Sequence, residues 1–130
     1  MKDVIKVGVI GLGFMGSAHT ACYERMPNAK IVAIADADPD RRHGRARVAG
    51  NIEMPLPQMD VSEWQVYADG KELIEQADVD LVDICVPTYL HDEFVERVAD
   101  AGKHVVVEKP MALSSAEAAG MIEAARRNGV

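Results

Sequence analysis

Two cysteines in 130 residues are too few for a disulfide framework. Cys22 and Cys85 fall far apart, in segments expected to be buried helix and strand, and read as reduced core thiols. No apolar run approaches the length needed to span a bilayer, so no membrane partner is expected. Positive charge is in deficit: 14 Lys and Arg stand against 21 Asp and Glu, a net charge of −7. That balance argues against a nucleic-acid surface or an anionic membrane partner. Internal repeats and low-complexity tracts are missing as well. Lys2, Asp3 and Lys6 precede a short strand rather than a secretory h-region, so a soluble cytoplasmic chain is expected.

What is present is 48% hydrophobic residues, enough for a real core in the one domain expected at this length. Residues 4–16 read VIKVGVIGLGFMG. The apolar, β-branched run suits a strand buried on both faces. It stops at Gly11, Gly13 and Gly16, spaced G-x-G-x-x-G. Each glycine has its own physical task. Gly11 permits a tight strand-to-helix turn. Gly13 lets a pyrophosphate approach the backbone. Gly16 allows the following helix to pack closely. Amides at that helix start, around Phe14 and Met15, are placed to bind the phosphates. A glycine pattern alone is weak, but its context agrees. A helical segment follows, with Ala18, Ala21, Cys22 and Met26 at inward spacing, and Pro27-Asn28 ends it. The second strand is IVAIA, residues 31–35, and Asp36 follows it. An acid there, 36 − 16 = 20 residues past the last glycine, would accept bonds from the adenosine ribose hydroxyls.

The rest alternates strand and helix. Asp38 caps a helix opening with Pro39, expected to run to Val48 or Ala49. Residues 51–64 show no period and hold two prolines; they read as an irregular surface excursion, either functional or a local insertion. Residues 65–67 form a short strand. Asp69 caps a helix containing Leu73 and Ile74 and ending near Gln76. Residues 81–86 form a fourth strand, after which Thr88 caps a helix burying Phe94, Val95, Val98 and Ala99. Gly102 closes that helix, and residues 104–107 form a fifth strand. Ser114 or Ser115 caps a last helix with Ala118, Met121, Ile122 and Ala125 inward and Glu117 and Glu123 outward. The order implies a doubly wound parallel α/β sheet. A helix at residues 115–128 should feed a further strand, so the chain is expected to stop short of a following domain.

The segment AGKHVVVEKP, residues 101–110, resembles the AGKHV-x-x-EKP signature of the Gfo/Idh/MocA oxidoreductases. The GLGFMG turn, Asp36, and Val86-Pro87-Thr88-x-x-His91, close to that family's TPN-x-x-H, agree with it. The resemblance covers the nucleotide-binding Rossmann half, whereas the α/β substrate domain with its Asp-x-x-x-His pair is absent from this chain. It implies oxidation of a hydroxyl on a sugar, cyclitol or related polyol by a nicotinamide cofactor, or the reverse. It also implies association into homo-oligomers when the substrate domain is present. By resemblance Lys109 contacts substrate and nicotinamide, where a cation stabilises alkoxide character as hydride leaves. Glu108 positions it, and a cis bond before Pro110 aims it. His91 either lines the nicotinamide pocket or bonds backbone at the helix start. Pro87 and Thr88 touch cofactor atoms or act as turn and cap. His19 is assigned no role, and no metal site is expected. NAD is expected over NADP, because Asp36, Asp38 and Asp40 would repel a 2′-phosphate and Ala37 stands where NADP-users of the family place an arginine. The competing readings are a free-standing NAD(H)-binding module without turnover and, more distantly, a site for the adenosyl group of a methyl donor.

Overall fold

A computed structural model of the chain describes residues 3–46, 48, 50 and 56–130. Five parallel strands form one sheet: β1 (Ile5–Ile10), β2 (Ala29–Ala35), β3 (Gln65–Tyr67), β4 (Leu81–Ile84) and β5 (His104–Val107). Their order is β3-β2-β1-β4-β5. The chain winds outward from β1 to one edge, then crosses back to β4, so the strand order reverses between β1 and β4. In open parallel sheets that reversal leaves a crevice at the carboxyl ends of the two strands. This is the doubly wound arrangement expected from the sequence.

Two apolar clusters fill the two faces. On one, Ile10, Ala33, Val82 and Ile84 pack with Leu73 and Ile74 of α3 (Gly70–Gln76), and with Phe94, Val95 and Val98 of α4 (His91–Asp100). Met121 of α5 (Ser115–Asn128) joins them. On the other, Val7, Val9, Leu12, Ile31 and Ile34 pack with Tyr23 of α1 (Phe14–Tyr23).

Several expectations need correction. The helix after Asp38, α2, covers only Pro39–Arg42, one turn. Asp38 caps it as expected, accepting from the N–H groups of Asp40 and Arg41, but Gly44 then adopts φ 69° and turns the chain away. With so short a helix, the second face is completed by residues 59–64, where Met59, Val61 and Trp64 pack against the Val7 cluster. This part of the excursion lies on the surface, as expected, but packs three half-buried apolar side chains against the core; residues 51–55 lie outside the described residues. Thr88 does not cap α4 through its side chain. It opens a 3-10 turn, Thr88–Leu90, that leads directly into His91. Cys22 and Met26 are exposed, since α1 ends at Tyr23 and its buried stripe is Gly16, Ser17, Ala18 and Thr20. Ile122 is also exposed. The stripe of α5 is narrower than expected and is made by Met121 and Ala124. Both cysteines are free thiols. Among the described residues no helix is long and apolar enough to cross a membrane.

Candidate functional site

The crevice between β1 and β4 is a cleft of about 690 Å³, lined by residues that include Gly11, Gly13, Phe14, Met15, Asp36 and Pro87. Gly11 adopts φ 90°, and a Cβ there would lie 2.6 Å from the Cys85 carbonyl oxygen. The turn is therefore closed to other residues by conformation and by contact. A Cβ on Gly16 would stand 1.8 Å from the Gly11 carbonyl oxygen, so this glycine sits behind the turn and lets α1 close over it.

Gly13 differs from both. It has φ −68°, open to any residue, and an added Cβ would meet nothing within 4 Å among the described residues. None of those residues requires glycine at this position. The space over it is left for a ligand, directly at the N-terminus of α1, which carries no side-chain cap. First-turn amides of an uncapped helix, together with the helix dipole, suit a phosphate.

Asp36, half-buried at the end of β2, bonds this turn directly. Its Oδ2 accepts the Leu12 N–H at 2.7 Å, and its Oδ1 accepts the Asp38 N–H at 2.8 Å. An ionised carboxylate offers about four acceptor positions. Each oxygen thus keeps capacity for a hydroxyl partner, as a ribose diol requires. Arg42 donates from Nη1 to the carbonyls of Asp36 and Ala37, and Arg41 stands 3.9 Å from Asp38. The Asp36 end of the cleft is thus acidic at its floor, with Arg42 bonded to backbone carbonyls and Arg41 beside Asp38.

At the other end, Glu108 follows β5 and donates its N–H to the Ile84 carbonyl at 3.0 Å, extending the sheet by one bond. Lys109 is exposed, and the Lys109–Pro110 peptide is cis. Neither lines the crevice beside Gly13; they lie past the ends of β4 and β5. His91 has a different place from the pocket wall considered in the sequence. It is 1% exposed. Its Nδ1 lies 3.0 Å from the Pro110 carbonyl and 3.2 Å from that of Met111, and its Nε2 lies 2.9 Å from that of Val86. The ring ties the Lys109-Pro110 turn to the end of β4. Thr88 is half-buried in the 3-10 turn between them.

A cluster the sequence reading left out lies on the α1 side of the same strand ends. Asp83 of β4 is fully buried. Its Oδ2 accepts from the Tyr23 hydroxyl at 2.9 Å and lies 2.8 Å from His19 Nδ1, while the Cys85 thiol donates to Oδ1 at 3.4 Å. The other ring nitrogen of His19, Nε2, is 3.0 Å from Glu108 Oε1. The hydrogen bond to Asp83, with further support from both carboxylates, raises the His19 pKa above its ordinary value despite partial burial. Burial first, and then the Asp83 charge, pushes the Tyr23 hydroxyl and the Cys85 thiol up, so both stay protonated donors. The signal for this cluster was a single acid inside the apolar strand LVDICV, residues 81–86. A charge there needs partners. His19, Asp83 and Cys85 hold ligand-type atoms within 4.8 Å of one another. The 2.8 Å His19–Asp83 spacing is nevertheless that of a hydrogen bond. Two ligands of one tetrahedral ion stand roughly 3.3 Å apart.

The model of the Gfo/Idh/MocA oxidoreductase family, described as an NAD-binding Rossmann fold, matches residues 5–130. Myo-inositol 2-dehydrogenase of Thermotoga maritima is 35% identical over 126 residues, covering 97% of this chain and 34% of that protein. Levoglucosan dehydrogenase of Pseudarthrobacter phenanthrenivorans is 33% identical over 134 residues, covering 97% of this chain and 31% of that protein. The crystal structure of a probable dehydrogenase from Thermotoga maritima superimposes with a TM-score of 0.81 at 32% identity, covering 97% of this chain and 34% of that one. The chain therefore spans about a third of the length of the relatives it matches.

Proposed function

Because the chain belongs to the Gfo/Idh/MocA oxidoreductase family, over its NAD-binding Rossmann fold, we propose that it is the nucleotide-binding half of a polyol or sugar dehydrogenase. The observation that carries this reading is Gly13: a glycine that none of the described residues requires, with open space among them at an uncapped helix start. The residues suit the cofactor. Amides of the turn at Gly11, Gly13, Phe14 and Met15 would hold the pyrophosphate, and Asp36 the adenosine ribose. The cofactor, when bound, accepts or returns the hydride.

The chain's own residues do the remaining work. Lys109 places a cation where the oxygen of the reacting hydroxyl would lie, stabilising negative charge there as the carbon loses hydride. Glu108 receives the Lys109 N–H at its Oε2 (3.0 Å) and orients the turn. His91 acts by positioning: it fastens that turn to β4 and does not itself reach the reacting atoms. Pro87 borders the cleft, where it would contact the nicotinamide half of a bound cofactor, and Thr88 lies in the 3-10 turn at the same corner. The related dehydrogenases act on inositol and levoglucosan by name, so a cyclic polyol or sugar is the substrate class proposed. The remainder of the substrate wall and the subunit contacts are assigned to a second domain, and this chain alone is expected to bind cofactor without turnover.

NAD is the preferred cofactor over NADP. Asp36 opposes a 2′-phosphate, and Arg41 and Arg42 are engaged with Asp38 and with backbone carbonyls. Isothermal titration of both nucleotides tests this: NAD should bind at least about tenfold more tightly, the effect of one poorly placed charge pair. Equal or tighter NADP binding would overturn the preference.

A further inference from the structure

We propose that His19 is a positioning residue for Lys109, acting as a charged bridge from the buried Asp83 to Glu108. The proposal rests on the role given to Lys109 above and adds a residue on the first helix to that end of the site.

The chain of contacts is continuous. Asp83 is buried in the centre of β4 with no exposed surface. It faces Tyr23 and His19 from α1 and Cys85, the residue just past the end of β4. Tyr23 and Cys85 are neutral donors, so His19 is the one cation bonded to it among the described residues. A protonated imidazole has two N–H groups. One points to Asp83 at 2.8 Å, and the other to Glu108 Oε1 at 3.0 Å. Glu108 Oε2 then accepts the Lys109 N–H at 3.0 Å. Among the described residues, the groups bonded to His19 are the carboxylates Asp83 and Glu108 and the Cys85 thiol, itself a neutral donor to Asp83. Two carboxylates sharing one imidazolium hold it in the charged state, in agreement with its raised pKa.

The geometry has a consequence for pH. While His19 is charged, Glu108 is fixed from one oxygen by the imidazolium and from the other by the Lys109 amide. Once His19 loses its proton, a neutral ring donates from one nitrogen only. The buried Asp83 retains that donor, and Glu108 faces a lone pair. The Lys109 turn is then held by His91 and the β5 bond alone. Placement of Lys109 is therefore linked to the protonation of a residue that never touches substrate.

NMR of the 130-residue chain tests this. His19 should titrate above the ordinary histidine value near ~6.5, and the Lys109 backbone amide should shift with the same midpoint. His19→Asn places a donor near Asp83 but none near Glu108. In that variant the Lys109 amide should exchange with solvent at least about tenfold faster, the loss expected for a charge-assisted contact. His19→Gln places its amide nearer the position of Nε2 and should restore part of that protection. Should His19→Asn fail to fold, Glu108→Gln serves: the His19 midpoint should fall and the Lys109 amide should lose its pH response. An amide indifferent to the His19 titration, or a His19 midpoint unmoved by Glu108→Gln, overturns the proposal. Failure of the Lys109 role itself would look different. Lys109→Met would then leave the interaction with NAD and substrate unchanged while the His19–Glu108 titration behaved as described.

Discussion

Leu12 donates its backbone N–H to the Asp36 carboxylate at 2.7 Å, tying the glycine turn after β1 to the end of β2. The acid that would read the ribose therefore also sets the shape of the loop that would hold the pyrophosphate. The two halves of the proposed nucleotide site are joined by this bond, so a change in either is expected to disturb both.

Replacing Asp36 by Asn tests that unit. The amide can accept at one position but presents N–H groups at the other, against Leu12 or Asp38. NAD affinity should fall by roughly ten- to a hundredfold, the loss of one or two charge-assisted bonds. NADP affinity should fall less, because repulsion of the 2′-phosphate is relieved. Titration of both nucleotides onto the variant gives the ratio.

Gly13 and Gly16 should separate binding from folding. Gly13→Ser adds a side chain where the protein has room, at an N-cap position that favours serine. Its unfolding free energy should stay within about 0.5 kcal/mol of wild type or rise, yet NAD should bind at least about tenfold more weakly because the phosphate's space is taken. Gly16→Ala forces a carbon to 1.8 Å from the Gly11 carbonyl and should destabilise the chain by about 3 kcal/mol or more. Denaturant melts of the two variants should give opposite results.

The Asp83 cluster predicts both a mutational and a pH effect. Asp83→Ala leaves His19, Tyr23 and Cys85 without their shared acceptor and should cost about 3 kcal/mol. The sign of the pH effect follows from the raised His19 pKa. Its contribution to stability is fully present below the unfolded value near ~6.5 and is lost as pH rises through the higher folded value. Thermal midpoints should therefore decline across that interval in the wild type and flatten in His19→Asn.

Trp64 carries a prediction about the excursion. It packs with Met59 and Val61 on the Val7 cluster where the one-turn α2 provides no cover. Trp64→Ala should destabilise the fold by about 2 kcal/mol, less than the roughly 3–5 kcal/mol for a core aromatic because Trp64 is only half-buried. A surface loop would tolerate the change within about 0.5 kcal/mol.

The features legible in the sequence are those decided by local chemistry. Strand β1 and its glycines, the caps Asp38, Asp69 and Ser114, and the stop at Gly102 each announce themselves within a few residues. What escaped depends on contacts distant in sequence. The helix from Pro39 is shorter than its capping signal suggests, because Gly44, at φ 69°, stops it after one turn. Residues 59–64 looked irregular because their apolar positions serve a face left open by that short helix, not a period of their own. His19 carries no motif of its own; only the fold brings it to Asp83, 64 positions away, and to Glu108. For His91 the sequence offers a pocket wall or a backbone bond at the helix start; which three carbonyls surround its buried ring is decided by the packed turn.

The most direct measurement is amide chemical-shift mapping of the chain titrated with NAD. Shifts should concentrate on residues 11–16, on Asp36 and on the segment from Cys85 to Pro87, with saturation at a single affinity. Shifts confined to another face, or a titration that leaves Gly13 and Asp36 unmoved, would contradict the account.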